Sequence, residues 1–181
     1  MRDMNQTVVS RLSIYATDLL KLVFSEDRAA LYLEGFEVLS TSPAVGTELG
    51  RLQDETNLHL VRVLELFQTA DMERTRQADS LEAAVAEELA ASVNAASLGN
   101  ADDADLLRAS LRLGKHLLSR YEIVAEHAFA MGLDSDRKRL ASICEVKRER
   151  LRQLSSLLDQ LVARREGALV MFSPAPVIYV N

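Results

Sequence analysis

The sequence predicts an all-α protein: four long helices in two hairpins, joined by one long crossover. Three observations carry that expectation. Apolar residues recur at about 100° per residue along most of the chain, the period of an amphipathic helix. Only 7 Gly and 3 Pro stand in 181 residues, so a turn-rich β fold has too few breaks to work with. The breaks that do occur give connections in the order short, long, short.

The first helix runs from about Asn5 to Leu39. Its stripe is Val8, Leu12, Tyr15, Leu19, Leu22, Val23, Ala30 and Leu33, with Glu26 in the middle. Ser40-Thr41-Ser42-Pro43 stops and restarts the chain, with Ser42 as N-cap and Pro43 at the first helical position. The second helix reaches about Phe67 on Leu49, Leu52, Val63 and Leu66. Residues 70–104 are charged and Ala-rich, and hold a shorter helix from about Ala78 to Ser97.

Asp102 or Asp103 caps the next long helix, whose stripe is Leu107, Leu111, Leu118, Ala125 and Phe129. Gly132 ends it, and Asp134 or Ser135 starts the last helix. That one runs to about Glu166 on Leu140, Cys144, Leu151, Leu154, Leu158 and Leu161, and stops at Gly167. The chain thus divides into a helical body, 1–167, and an extended apolar C-terminal arm, 168–181. The arm is β-branched and aromatic around Ser173-Pro174-Ala175-Pro176, and suits docking on its own bundle or on a second subunit. Two hairpins joined by one long crossover is the ferritin-like wiring, as opposed to up-down-up-down.

Composition excludes several functions. Net charge is -6, with a pI of 5.2, so no global field draws nucleic acid. Aromatic residues are 5% and Trp is absent, which leaves no base-stacking platform. No apolar run approaches the ~20 residues of a membrane span, and Met1 is not followed by the apolar core of a signal peptide. The lone Cys144 allows no internal disulfide and suits a reducing cytoplasm. There is no Gly-rich phosphate loop and no G-x-S-x-G, so nucleophilic catalysis finds no support; whether the protein is an enzyme stays open.

Helical angles turn a few polar residues inward: Glu26, Glu55, His59, Glu122 and Lys147. Glu145 and Glu149 point outward, as do His116 and His127, while Glu88 shares a half-apolar face with Leu81 and Val85. Buried carboxylates need a positive partner. In four-helix bundles a metal pair often supplies it, with Glu from two helices and Glu-x-x-His from the others. Oxygen-rich ligation with imidazole suits iron or manganese, and Glu26, Glu55, His59 and Glu122 are the candidate ligands. The alternative needs no metal: Lys147 neutralises one carboxylate and His59 hydrogen-bonds another. No complete Glu-x-x-His is present, since Thr56 precedes His59 by three and Ala125 follows Glu122 by three.

The stretches Phe24-Ser-Glu-Asp-Arg-Ala29, Thr41-Ser-Pro43, Asp54-Glu-Thr-Asn-Leu-His59, Val63-Leu-Glu-Leu-Phe67 and Arg120-Tyr-Glu-Ile123 resemble the YciE/YciF-like ferritin-like family. Its pattern is a "YSAEKQL" segment, a "TNP"-like break, "EETxxH" or "EETxxQ" followed by "RLExVF", and later "HYEIA". The resemblance covers roughly residues 15–160. It places Glu26, Glu55, His59 and Glu122 on the family's polar positions. It implies a cytoplasmic, stress-associated homodimer with a ferritin-like core that suggests metal, and an unsettled activity. On the last helix the family tends to turn a carboxylate inward from an "EEK" stretch; Lys147 takes that place here.

Overall fold

The computed structural model describes residues 2–69, 78–94 and 101–171, and every element among them is an α-helix. α1 spans Arg2–Leu39, α2 Pro43–Thr69, α3 Ala78–Val93, α4 Asp103–Ala130 and α5 Asp134–Met171. α1 packs along α2 and α4 along α5; α1 on α4 and α2 on α5 close the bundle, and α3 lies over α1 and α4. Among the described residues no helix is long and apolar enough to cross a membrane.

Side-chain ties fix the helix directions. The Tyr15 hydroxyl donates to Asp136 at one end, and Thr41 donates to Asp103 at the other. α1 therefore runs antiparallel to α4, and α2 runs the same way as α4. The chain from Thr69 to Asp103 has to travel the length of the bundle, and α3 is carried on that crossing.

On α1, Tyr15, Leu19, Leu22, Glu26, Ala29, Leu33 and Phe36 are buried, alternating steps of four and three residues. α2 repeats this spacing with Val45, Leu49, Thr56, His59, Val63 and Leu66. That is the seam of helices packed at a shallow angle. The apolar core falls into two clusters. One gathers Leu33, Phe36, Leu49, Leu107 and Leu154 with Val85, Leu89 and Val93 of α3. The other gathers Tyr15, Leu19, Val63, Leu66, Tyr121, Val124 and Leu140 at the opposite end. Between them the seam turns polar.

α4 departs from its sequence stripe. Besides Asp103, Ala104 and Ala109 near its start, its buried residues are Leu106, Leu107, Ser110, Leu113, Leu117, Tyr121, Val124 and Ala128, whereas Phe129 is 59% exposed beneath the Arg137 guanidinium. The seam lies one residue earlier than expected, a rotation of about 100°. Leu111, Leu118 and Ala125 flank it because α4 also packs on a second neighbour, and a helix with two partners buries a wider face than one stripe.

The joints follow from local chemistry. Asp102 caps α4 by accepting from the Asp105 N–H at 3.0 Å. Asp103 instead latches the α1–α2 turn, accepting from the Thr41 N–H, the Thr41 hydroxyl and the Ser40 hydroxyl at 2.8–2.9 Å. Against the upward pull of burial, those donors hold its pKa below the usual carboxylate value. Gly132 (φ 73°) closes α4: its N–H bonds Phe129 O and the Leu133 N–H bonds Ala128 O, the double bond of a Schellman cap. α3 ends at Val93, with Asn94 in the left-handed region at φ 54°, short of the expected Ser97. α5 continues through Gly167 to Met171, so the first four residues assigned to the extended arm are helical. The rest of the arm, 172–181, lies outside the described residues.

Candidate functional site

The polar layer between the two apolar clusters is built from Glu26 of α1, Thr56 and His59 of α2, Tyr121 of α4 and Lys147 of α5, all buried. Each occupies a seam position, so each is carried inward by the same spacing that buries the leucines around it. Lys147 Nζ stands 2.8 Å from Glu26 Oε1 and 5.1 Å from the centre of the Tyr121 ring. The ammonium is thus shared between a carboxylate and an aromatic face. The ion pair is close but not aligned as a hydrogen bond: both Glu26 oxygens, the Tyr121 hydroxyl and His59 Nδ1 are buried without a hydrogen-bond partner.

Electrostatics follow from burial. The His59 pKa is lowered to about 3, first by loss of solvent and then by the positive charges of Lys147 and Arg62, so the ring is neutral. Burial, and then the Glu26 carboxylate, push the Tyr121 phenol well above its ordinary value. Burial likewise raises the Cys144 thiol, a small core residue next to this layer.

The remaining candidate ligands go elsewhere. Glu55 is held at the bundle edge by a two-pronged Arg150 guanidinium, whose Nε lies 3.1 Å from Glu55 Oε2. Arg150 also reaches Glu48 Oε1 at 2.6 Å. Glu122, expected to face inward, is 44% exposed and pairs with Arg148 at 2.6 Å. The one-residue rotation of α4 explains this, since it puts Tyr121 in the layer and turns Glu122 out. Lys147, Arg148 and Arg150, within one turn of α5, therefore meet Glu26 of α1, Glu122 of α4 and Glu55 of α2 respectively.

An iron or manganese centre needs several carboxylate oxygens converging on one point. Here the three carboxylates diverge, each toward its own cation. Among the described residues no three His, Cys, Asp or Glu side chains come together to hold a metal ion. The donor set does not fit the metal that the sequence suggested.

Two histidines expected to be solvated are paired. His116 Nε2 accepts from Arg120 Nε at 2.8 Å, and burial, then the Arg120 charge, lower its pKa against the pull of Glu88. Arg120 also bonds Glu88, which is 52% exposed on α3. His127 Nδ1 lies 2.8 Å from Asp18 Oδ2. These pairs tie α3 and α1 to α4. Sequence reasoning missed Tyr121 and Arg150. Tyr121 was findable from the four-and-three spacing of Leu113, Leu117, Tyr121, Val124 and Ala128; Arg150 carries no such signal, because its role depends on which helix neighbours α5.

The family described as Domain of unknown function (DUF892) matches residues 12–166. Comparison with curated proteins and with solved structures gave no match.

Proposed function

The chain belongs to the DUF892 family, a domain of unknown function, and from that premise we propose that it is a ferritin-like bundle without a working metal centre, acting as a cytoplasmic interaction module in homodimeric form. The ferritin-like part is supported by the wiring: two hairpins, and a crossover that makes α2 and α4 run in the same direction. The homodimer and the association with stress rest on the sequence resemblance.

One observation carries the metal-free reading. The Lys147 ammonium lies 2.8 Å from the buried Glu26 carboxylate, where a bound cation would otherwise neutralise it. A second positive charge there would face Lys147 across a few ångströms in a dry environment, which is strongly unfavourable. With its carboxylates taken up by α5, the bundle keeps a polar layer that fixes helix register, and its surface is left to do the work.

Elemental analysis of protein expressed with ample iron and manganese tests the reading, with Lys147→Glu alongside. Wild type is expected to carry neither metal in proportion to protein, and to sediment as a dimer. Metal in proportion to wild-type protein would establish the alternative, an iron- or manganese-bearing centre. Metal gained by Lys147→Glu alone would identify Lys147 as the residue that disables the site.

A further inference from the structure

On α5, Lys147, Arg148, Arg150, Arg152 and Arg165 each meet a carboxylate at 2.6–3.1 Å. Lys138 and Arg139, near the start of the same helix, have no carboxylate partner among the described residues, and neither has Arg62 of α2. These three exposed cations line one open cleft of about 400 Å³ between α2 and α5, together with Glu65 and Ser142. Packing beneath holds the two walls in place, because Val63 and Leu66 of α2 share a core cluster with Leu140 and Ile143 of α5. Spacing does the rest. Arg62 and Glu65 are three residues apart, and Ser142 follows Arg139 by three and Lys138 by four, so each helix presents its group on one side.

The charge of the cleft runs against that of the chain. Three cations stand there with one carboxylate, in a protein of net charge -6. Two positive charges are left uncompensated, and like charges gathered in one concavity favour the entry of an anion. Guanidinium forks match pairs of phosphate oxygens, an ammonium adds a point charge, and a serine hydroxyl adds a further donor. A phosphate monoester carries a charge of about -1.5 to -2 at pH 7, which is the charge this cleft lacks. Its volume falls within the range of about 300–1,000 Å³ typical of small-molecule sites, so there is room for an organic group beside the phosphate. Glu65 can accept a hydrogen bond from a hydroxyl or amino group on that part.

We propose that the cleft of Arg62, Lys138, Arg139 and Ser142 is a binding site for a small phosphate monoester, with Glu65 receiving a hydroxyl or amino group of the same ligand.

The test is an amide NMR titration of the full-length wild-type chain with glycerol 3-phosphate, with inorganic phosphate, and with sodium chloride at matched ionic strength. Glycerol 3-phosphate is expected to give saturable shifts centred on residues 62–65 and 138–142, at lower concentration than inorganic phosphate. Sodium chloride is expected to give none that saturate. Arg62→Gln combined with Arg139→Gln changes two exposed side chains and is expected to weaken binding about tenfold or more. Shifts in wild type no larger than those of sodium chloride overturn the proposal, whatever the variant does. Unchanged affinity in the double variant overturns this cleft as the site, and equal affinity for inorganic phosphate overturns the role of Glu65. Binding confined to vesicles containing phosphatidic acid, with no response to glycerol 3-phosphate, would overturn the small-molecule ligand in favour of a lipid surface.

Discussion

Glu26–Lys147 and Glu122–Arg148 make a natural contrast, for they use adjacent cations of α5 and the same charge chemistry. The first pair is 0% and 9% exposed at the side chains and the second 44% and 48%. Burial changes what the pair is for. In the core each charge is tolerable only because the other is present; at the surface water solvates each alone, and the pair adds little. Two neighbouring residues on one helix thus differ in consequence by one step of about 100°.

The comparison is broken most directly by Lys147→Met. Removing one partner strands Glu26 in the core and is expected to destabilise by about 3–5 kcal/mol, read as a fall in the urea midpoint at neutral pH. Glu26→Leu combined with Lys147→Met removes both charges, and should recover most of that loss or exceed wild type by about 1–4 kcal/mol. A double variant as unstable as the single one would show that the pair is more than mutual neutralisation.

A pH titration sharpens the same contrast through His59. Its folded pKa is about 3, below the 6.5 of the free side chain. The unfolded chain therefore binds the extra proton first, and stability falls as pH drops from 6.5 toward 3. This group contributes a slope of up to about 1.4 kcal/mol per pH unit. His59→Phe should flatten that part of the stability–pH curve, and an unaltered curve would place the acid sensitivity elsewhere.

The smallest effect belongs to Arg148→Ala. Its pair is surface-exposed, so the denaturation midpoint should stay within error and any residual effect should vanish with added salt. A loss comparable to that of Lys147→Met would mean that Glu122 is held inside the bundle in solution.

Much of the architecture was legible in the chain itself. The spacing of Tyr15, Leu19, Leu22 and Glu26, and of Leu49, Val63 and Leu66, is a property of the helix alone, and burial follows it. The breaks at Ser42-Pro43 and Gly132 were readable for the same reason, because N-caps and left-handed C-caps are local. Lys147 on the inner face was likewise an angular fact. α4 was the failure: with apolar residues on both flanks of its seam, periodicity admitted two stripes one residue apart, and the wrong one put Glu122 inside.

Local spacing and capping along the chain fix which stretches are helical, the joints at Ser42-Pro43 and Gly132, and that polar residues interrupt the apolar seam, although α3 ends earlier and α5 later than those local signals suggest. Tertiary structure decided what those polar residues do. An ammonium or guanidinium on α5 chooses its carboxylate by which helix lies beside it and at what rotation, and neither is encoded in α5. Long-range neighbours therefore turned a metal-like ligand set into three separate ion pairs: Glu26 in the core, Glu55 at the edge and Glu122 in solvent.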